Sequence, residues 1–125
     1  MSGSSVITYK NAKIVTAGDM SATITSSGVD LQGVNNYCIQ ASFSGSPSGT
    51  FKLQISTDLV PVGPDSNPAV NVVNFSDYTG SSQTISAAGN YAWKVDAGGE
   101  RWVQLVWTAS GGSTGVLNVT FSGKS

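Results

Sequence analysis

Apolar and polar residues alternate along most of this chain, and turn-forming residues interrupt the alternation at short intervals. Phe51, Leu53 and Ile55, for example, alternate with Lys52 and Gln54. No window of roughly 11 or more residues keeps the spacing of an amphipathic helix. The pattern therefore predicts short β-strands, each with one face toward a core.

The predicted strands recur about every ten residues, between turns rich in Gly, Pro, Ser and Asn. They are Val6–Tyr9, Lys13–Thr16, Met20–Thr25, Val29–Leu31, Tyr37–Phe43, Thr50–Ser56, Val70–Phe75, Ser82–Ile85, Tyr91–Val95, Arg101–Thr108 and Gly115–Phe121. The first two are weak and are expected to flank a turn at Asn11, and Val70–Phe75 is either a strand or the edge of a loop. About eight strands at this spacing predict an all-β, single-domain antiparallel β-sandwich, jelly-roll-like in type.

The length of 125 residues fits a single domain. Residues 1–10 are polar and are expected to form a flexible N-terminal arm, which leaves 11–125 as the sandwich. Residues 57–69 contain three of the four prolines. Because proline cannot donate a hydrogen bond to a β-ladder, this segment is expected to be a surface loop.

Two segments of the chain resemble each other. IQASFSGSPSGTFKLQIS, from Ile39, and VQLVWTASGGSTGVLNVTFS, from Val103, each contain an alternating run, a Ser/Gly loop, a glycine and a second alternating run. Each is predicted to be a hairpin, with Gly49 and Gly115 supplying positive φ before the second strand. Duplication and convergence on a common pattern explain the similarity equally well.

Matching the two segments assigns their faces. Trp107 takes the inward place of Phe43, whereas Trp102 takes the outward place of Cys38. Together with Trp102, Val106 and Val116 make the outward face of the second segment the more apolar one. An exposed apolar patch marks an interface with another subunit or protein. The alternative is that the N-terminal arm or the Pro-rich loop of the same chain covers these three residues.

Charge is sparse, since only 10% of the residues are charged and the formal net charge is −1. Without a cluster of Lys and Arg, neither nucleic acid nor an anionic membrane is an expected partner. The single cysteine, Cys38, rules out an intrachain disulfide. The N-terminus has no apolar region of the kind a signal peptide needs, so synthesis in the cytoplasm is expected.

Chemically active residues are few, and the sequence predicts a protein that is not an enzyme and holds no cofactor or metal. The absence of histidine excludes catalytic triads and histidine-based metal sites. Asp58, Asp65 and Asp77 flank the Pro-rich segment, either as turn formers or as ligands of a divalent ion. A carboxylate pair for glycoside hydrolysis is the remaining, less favoured enzymatic alternative.

Aromatic residues suggest one further function. Trp93, Tyr91, Tyr78 and Phe75 are candidates for a sugar-stacking platform of the kind found in carbohydrate-binding modules. Tyr91 and Trp93 share one strand face, which is also how core aromatics are arranged, and the core interpretation is favoured.

The segments IQASFSGSPSGTFKLQISTD (from Ile39), GDMSATITSSGVDLQGVNN (from Gly18) and the region from Arg101 to Val119 resemble a domain of structural proteins in tailed bacteriophages. The resemblance covers most of the chain. It implies a non-enzymatic virion component, either a capsid decoration or cement protein or a small tail or fibre part. Its partners would be the major capsid protein or another virion protein and further copies of itself, and its location would be the virion. A carbohydrate- or host-surface-binding module on a phage tail or fibre is the alternative.

Overall fold

A computed structural model describes residues 9–58, 74–96 and 99–125. Within these ranges the chain forms β-strands and no helix, so the all-β prediction is confirmed. The strands are β1 Tyr9–Asp19, β2 Ile24–Thr25, β3 Val29–Asp30, β4 Asn36–Phe43, β5 Gly49–Ser56, β6 Ser76–Asp77, β7 Gln83–Ile85, β8 Gly89–Asp96, β9 Trp102–Ala109 and β10 Val116–Lys124.

The strands form two antiparallel sheets that pack against each other, as the sandwich prediction requires. Sheet A has the strand order β1-β10-β4-β8. Sheet B has the order β2-β9-β5-β6, with β3 also paired to β9 and β7 also paired to β5. The first and last long strands of the chain are therefore neighbours in sheet A.

The core lies between the two sheets and consists of the residues that the alternation assigns to the inward faces. Phe51 is at its centre, with its ring centroid 4.7 Å from that of Trp107 and 5.7 Å from that of Trp93. The most deeply buried side chains are Met20, Ile39, Phe51, Leu53, Val103, Leu105, Trp107, Leu117, Val119 and Phe121. In β4 and β10 every second residue is buried, so a period of two residues places the core correctly in these strands.

The two similar segments are not hairpins, and this prediction is wrong. β4 lies in sheet A and β5 in sheet B, and likewise β10 lies in sheet A and β9 in sheet B. Each segment is therefore an arch that crosses from one sheet to the other. The arches pair with each other, since β4 pairs with β10 and β5 with β9.

The register makes the two arches equivalent. Phe43 pairs with Leu117 in sheet A, and the residues that correspond to them in the other arch, Trp107 and Phe51, pair in sheet B. The next pairs along the strands follow the same rule, with Ala41 and Val119 in one sheet and Leu53 and Leu105 in the other. The internal similarity in sequence is thus the signature of a pseudo-two-fold relation between the sheets.

The connections of the two arches lie side by side and are joined by hydrogen bonds between Ser and Thr residues. The Ser48 N–H donates to Ser113 Oγ at 3.0 Å, and the Ser48 and Ser110 hydroxyls are 2.7 Å apart. Between the two backbones, Ser110 N donates to Ser48 O at 2.8 Å. These short polar side chains fasten one end of the sandwich.

The glycines predicted to precede the second strand of each segment do have positive φ, 157° at Gly49 and 132° at Gly115. At both positions the backbone of the other arch passes at close range. A Cβ on Gly49 would collide with the carbonyl oxygen of Thr108, and one on Gly115 with that of Ser44. The two glycines are needed because two backbones meet there.

The first strand departs from the prediction. β1 runs through Asn11, which pairs with Ser122, so the predicted turn at Asn11 is wrong. Asn11 lies on the exposed side of the pleat, where a polar amide remains hydrated. Of the predicted arm and the run from Val6, residues 1–8 lie outside the described residues, and Tyr9 and Lys10 belong to β1.

The predicted strand Met20–Thr25 is shorter than expected, because β2 contains only Ile24 and Thr25. Asp19 Oδ1 accepts hydrogen bonds from the Ser21 backbone N–H at 3.0 Å and from its hydroxyl at 2.8 Å, which turns the chain instead. The Pro-rich segment from residue 59 onward and residues 70–73 lie outside the described residues.

Candidate contact surfaces

The outer face of sheet B carries two of the three residues predicted to form an interface, Trp102 and Val106. Between them on β9, Gln104 donates from Nε2 to Gln54 Oε1 at 2.8 Å. The Gln54 amide donates in turn to Asp77 Oδ1 at 2.9 Å. This row of hydrogen bonds runs across β9, β5 and β6. It fixes the orientation of these side chains on the outer face of sheet B.

Trp102 is half-buried at the end of β9. Its indole Nε1–H donates to the carbonyl oxygen of Asp58 at 3.2 Å. A Cβ placed on Gly28 would lie 3.8 Å from the Trp102 ring and 3.7 Å from that of Phe75, so both rings border this glycine. One part of the indole is therefore fixed by its own chain, while another part remains accessible.

The base of the Pro-rich segment is tied down beside Trp102. Asp58 Oδ2 accepts hydrogen bonds from both the backbone N–H and the side-chain amide of Asn74, at 2.7 and 3.2 Å. The Asp58 N–H donates to Ser56 Oγ at 3.0 Å. Asp58 thus brings together the two ends of the segment that contains the prolines.

The structure does not bring the three predicted interface residues together. Val106 is only 9% exposed, whereas Val116 is 44% exposed. Val116 also lies on sheet A, because the chain changes sheet between β9 and β10. The expectation of one continuous apolar face rested on a hairpin, and the arch separates Val116 from Trp102 and Val106.

The outer face of sheet A is the more open surface. Most exposed residues on its inner strands are polar and uncharged, with Thr120 opposite Gln40 and Asn118 opposite Ser42, and the exceptions are Val116 and Lys124 at the two ends of β10. The other charged side chains lie on its edge strands, among them Lys13 on β1 and Lys94 and Asp96 on β8. Sequence comparison of the two segments missed this surface, because it looked for apolar residues only.

The aromatic residues suggested for sugar stacking are divided between two places. Trp93 is 7% exposed, and its Nε1–H donates to Ser81 O at 2.9 Å. Tyr91 packs against it edge to face at 4.7 Å, and with Tyr78 they line a cleft of about 230 Å³. Phe75 borders Gly28 instead. Trp93 is thus a core residue, and the cleft offers the two tyrosines.

The carboxylates are engaged in separate structural contacts. Of the aspartates considered for a divalent ion, Asp58 binds Asn74, Asp77 forms an ion pair with Lys52 at 3.2 Å, and Asp65 lies outside the described residues. Among the residues that the structure describes, no three His, Cys, Asp or Glu side chains are grouped so as to hold a metal ion. In the described ranges, no helix has the length and hydrophobicity needed to span a membrane.

The most extensive ion pair among the described residues joins Asp30 on β3 to Arg101, which directly precedes β9. Arg101 donates from Nε to Asp30 Oδ1 at 2.6 Å and from a terminal nitrogen to Asp30 Oδ2 at 3.2 Å. The same terminal nitrogen also donates to the Gln32 amide oxygen at 3.0 Å. The hydrogen bond from Arg101 lowers the pKa of Asp30 below its ordinary value.

This contact predicts a dependence of stability on pH. Because Asp30 binds a proton more weakly in the folded state, its contribution is fully present above the ordinary aspartate pKa of about 3.9 and is lost as the pH falls below it. Asp30→Asn should lower the free energy of unfolding at pH 7, as measured by urea denaturation. Between pH 7 and pH 2 the free energy of unfolding should fall less in the variant than in the wild type. A variant with an unchanged acid dependence would show that the ion pair does not contribute.

The similarity of this chain to known proteins lies in its fold. No protein-family model and no curated protein matches the sequence. In three dimensions the chain is similar to the SPBc2 prophage-derived protein YomS, with a TM-score of 0.65, 13% identity and 100% of both chains covered.

Two further structures are less similar. The coat protein of Tobacco streak virus has a TM-score of 0.45 at 14% identity, covering 96% of this chain and 85% of that chain. The low-affinity xylan-binding module CBM86 of Roseburia intestinalis has a TM-score of 0.42 at 12% identity, with 94% of each chain covered. The similarity to YomS shows that the chain shares the fold of a solved structure.

Proposed function

We propose that this protein is a non-enzymatic structural component of a tailed-phage virion, a decoration or cement protein that binds the capsid as a homo-oligomer. The observation that carries the proposal is the full-length similarity in fold to a prophage-derived protein. The resemblance of the sequence to structural proteins of tailed phages supports it independently. The protein would cross-link neighbouring capsid subunits by repeated contacts rather than by chemistry.

The strand order supports a virion role. If β2 and β3 count as one strand and β6 and β7 as another, the described part of the chain has eight strands. Sheet A then contains the first, eighth, third and sixth strands, in that order. Sheet B contains the second, seventh, fourth and fifth. We infer from this order the winding of a jelly roll, the architecture of many viral capsid domains and of lectin domains. The outer face of sheet A, which is mostly polar and uncharged on its inner strands β4 and β10, suits extended contact with a neighbouring protein.

The test is to find the protein in the particle. Purified virions of the phage that encodes the chain should contain it in many copies, and a cryo-EM map should show its density on the capsid. Recombinant protein should also co-sediment with empty capsids. Absence from purified virions, together with no binding to empty capsids, would overturn the proposal.

Trp102 is proposed as a contact residue, which gives a prediction of its own. Trp102→Ser should leave the protein folded, because the indole is only half-buried and lies outside the core, with its Nε1–H donating to the Asp58 carbonyl oxygen. The same change should weaken binding to empty capsids by about tenfold, as expected for loss of an aromatic anchor. Thr108→Ala, at an exposed position of the same strand, is the control. Loss of folding in Trp102→Ser would assign Trp102 to the core.

Carbohydrate binding is the second candidate function, favoured by the cleft that Tyr78 and Tyr91 line. A glycan array would test it, with Tyr91→Ala as the variant. Trp93→Ala is unsuitable because Trp93 packs in the core against Phe51. Clear glycan binding that Tyr91→Ala removes, without loss of folding, would support this function over capsid decoration.

A further inference from the structure

Every strand pairing among the described residues joins the N-terminal half of the chain, residues 9–58, to the C-terminal half, residues 74–125. In sheet A, β1 and β4 pair only with β10 and β8. In sheet B, β2, β3 and β5 pair only with β9, β6 and β7. Within the described ranges, no two strands of the same half pair with each other. Either half by itself is therefore a set of strands without neighbours.

The pseudo-two-fold relation of the arches extends to the two halves as units. Sheet A has the order β1-β10-β4-β8, and sheet B in the reverse direction begins with β6 and β7, continues through β5 and β9, and ends with β2 and β3. Position by position, β1 corresponds to β6 and β7, β4 to β9, β5 to β10, and β2 and β3 to β8. This correspondence preserves the order along the chain. Each half therefore contains the same set of strands and contributes it to both sheets.

Side-chain contacts also join the two halves. Phe51 of the N-terminal half packs between Trp93 and Trp107 of the C-terminal half. The Trp107 Nε1–H donates to the carbonyl oxygen of Met20 at 3.1 Å, again from one half to the other. Both ion pairs found among the described residues, that between β5 and β6 and that between β3 and the residue before β9, cross in the same way. Each half therefore completes the core of the other.

We propose that the protein consists of two interlocking halves, each of which is the binding partner of the other, and that they assemble without a covalent connection. Residues 59–73 connect the described ends of the two halves, and a single cysteine allows no intrachain disulfide between them. The surface between the halves contains every strand pairing and the centre of the core. It is thus an obligate interface of the kind that resembles a domain core cut in half. The inference goes beyond the proposed function and does not rest on it.

Cutting the connection in the folded protein tests the proposal. A protease recognition site inserted after Asp65 allows the full chain to be cut after it has folded. The cut protein should elute from a sizing column as one species of the size of the uncut protein, with an unchanged circular dichroism spectrum. Each half, separated in urea and returned to buffer alone, should stay unfolded, and an equimolar mixture should recover the native spectrum. A half that folds alone, or a mixture that stays unfolded, would overturn the proposal.

Ser122→Cys supplies a matched control, because Ser122 on β10 lies directly opposite Cys38 on β4. Opposite residues of an antiparallel pair have Cα atoms about 4.5–5.5 Å apart, a separation that a disulfide can bridge. In the cut and reduced variant, the urea midpoint should rise with protein concentration, because two chains must associate. Oxidation joins the halves again and should abolish this dependence. A reduced, cut protein whose midpoint is independent of concentration would contradict the assembly of two separate halves.

A circular permutant tests the same point without a protease. Tyr9 pairs with Lys124, so the described ends of the chain lie side by side. Joining residue 125 to residue 1 and opening the chain after Asp65 moves the covalent connection to the opposite ends of the two halves. The permutant should fold, with the circular dichroism spectrum and the urea midpoint of the wild type. An unfolded permutant would show that the connection through residues 59–73 is required, and would overturn the proposal.

Discussion

Replacing Gly115 with alanine should destabilise the protein by at least about 3 kcal/mol, a large part of the 5–15 kcal/mol that stabilises a typical domain. Two costs add at this position. The φ of 132° is strained for any residue with a Cβ. The added methyl group would also collide with the carbonyl oxygen of Ser44, which belongs to the backbone of the other arch and cannot rotate away.

Gly49 is the residue equivalent to Gly115 in the other arch and gives a second variant. Gly111 gives a control. Gly49→Ala should have a comparable effect, because its Cβ would collide with the Thr108 carbonyl oxygen. Gly111→Ala, in the same connection as Gly115, meets nothing within 4 Å and should change the free energy of unfolding by less than about 1 kcal/mol. Urea denaturation measures all three. Equal stability of the Gly115 and Gly111 variants would contradict the close approach of the arches.

Trp107→Ala is expected to have an effect of similar size, about 3–5 kcal/mol, because it leaves a large cavity at the centre of the core. The Trp107 side chain is fully buried and packs on Phe51 at 4.7 Å. Its indole Nε1–H donates to Met20 O at 3.1 Å, so truncation also leaves that carbonyl without its donor.

Chemical denaturation of matched tryptophan variants tests whether Trp107 contributes more to the free energy of unfolding than Trp102. Trp102→Ala, on the same strand but with a half-buried side chain, should cost less than half as much as Trp107→Ala. Trp107→Phe restores most of the volume but not the hydrogen bond, and should fall between Trp107→Ala and the wild type. If the two alanine variants were equally unstable, Trp102 would be as much a part of the core as Trp107.

The alternation of residue types is sufficient to predict the inward and outward faces of β4, β5, β8, β9 and β10, but not the course of β1. It placed Phe43, Phe51 and Trp107 in the core and gave the correct sandwich class. Period two specifies which face a residue takes, but it contains no information about which sheet a strand joins. Hairpins and arches have the same pattern of strand, Ser/Gly loop and strand, so the choice between them depended on pairing partners distant in sequence.

That error explains why the candidate interface was only partly predictable. A hairpin would place Val116 beside Trp102 because β9 and β10 would be neighbours, but the change of sheet separates the two residues. The burial of Val106 was likewise unpredictable from its strand alone, since it depends on what other parts of the chain cover the sheet. Gly49 and Gly115 have the predicted positive φ. The reason is the close approach of two backbones rather than a tight turn.

The position of β10 in its sheet has a consequence for how the molecule is made. β10 follows every other described strand along the chain, yet it lies between β1 and β4, and β1 pairs with it. During synthesis, β1 and β4 therefore have no strand between them until β10 has emerged from the ribosome. Sheet A should form only after that point and slowly, in the range of milliseconds to seconds typical of folds with distant pairings. A premature stop before β10 would leave β1 unpaired and the core between the sheets exposed.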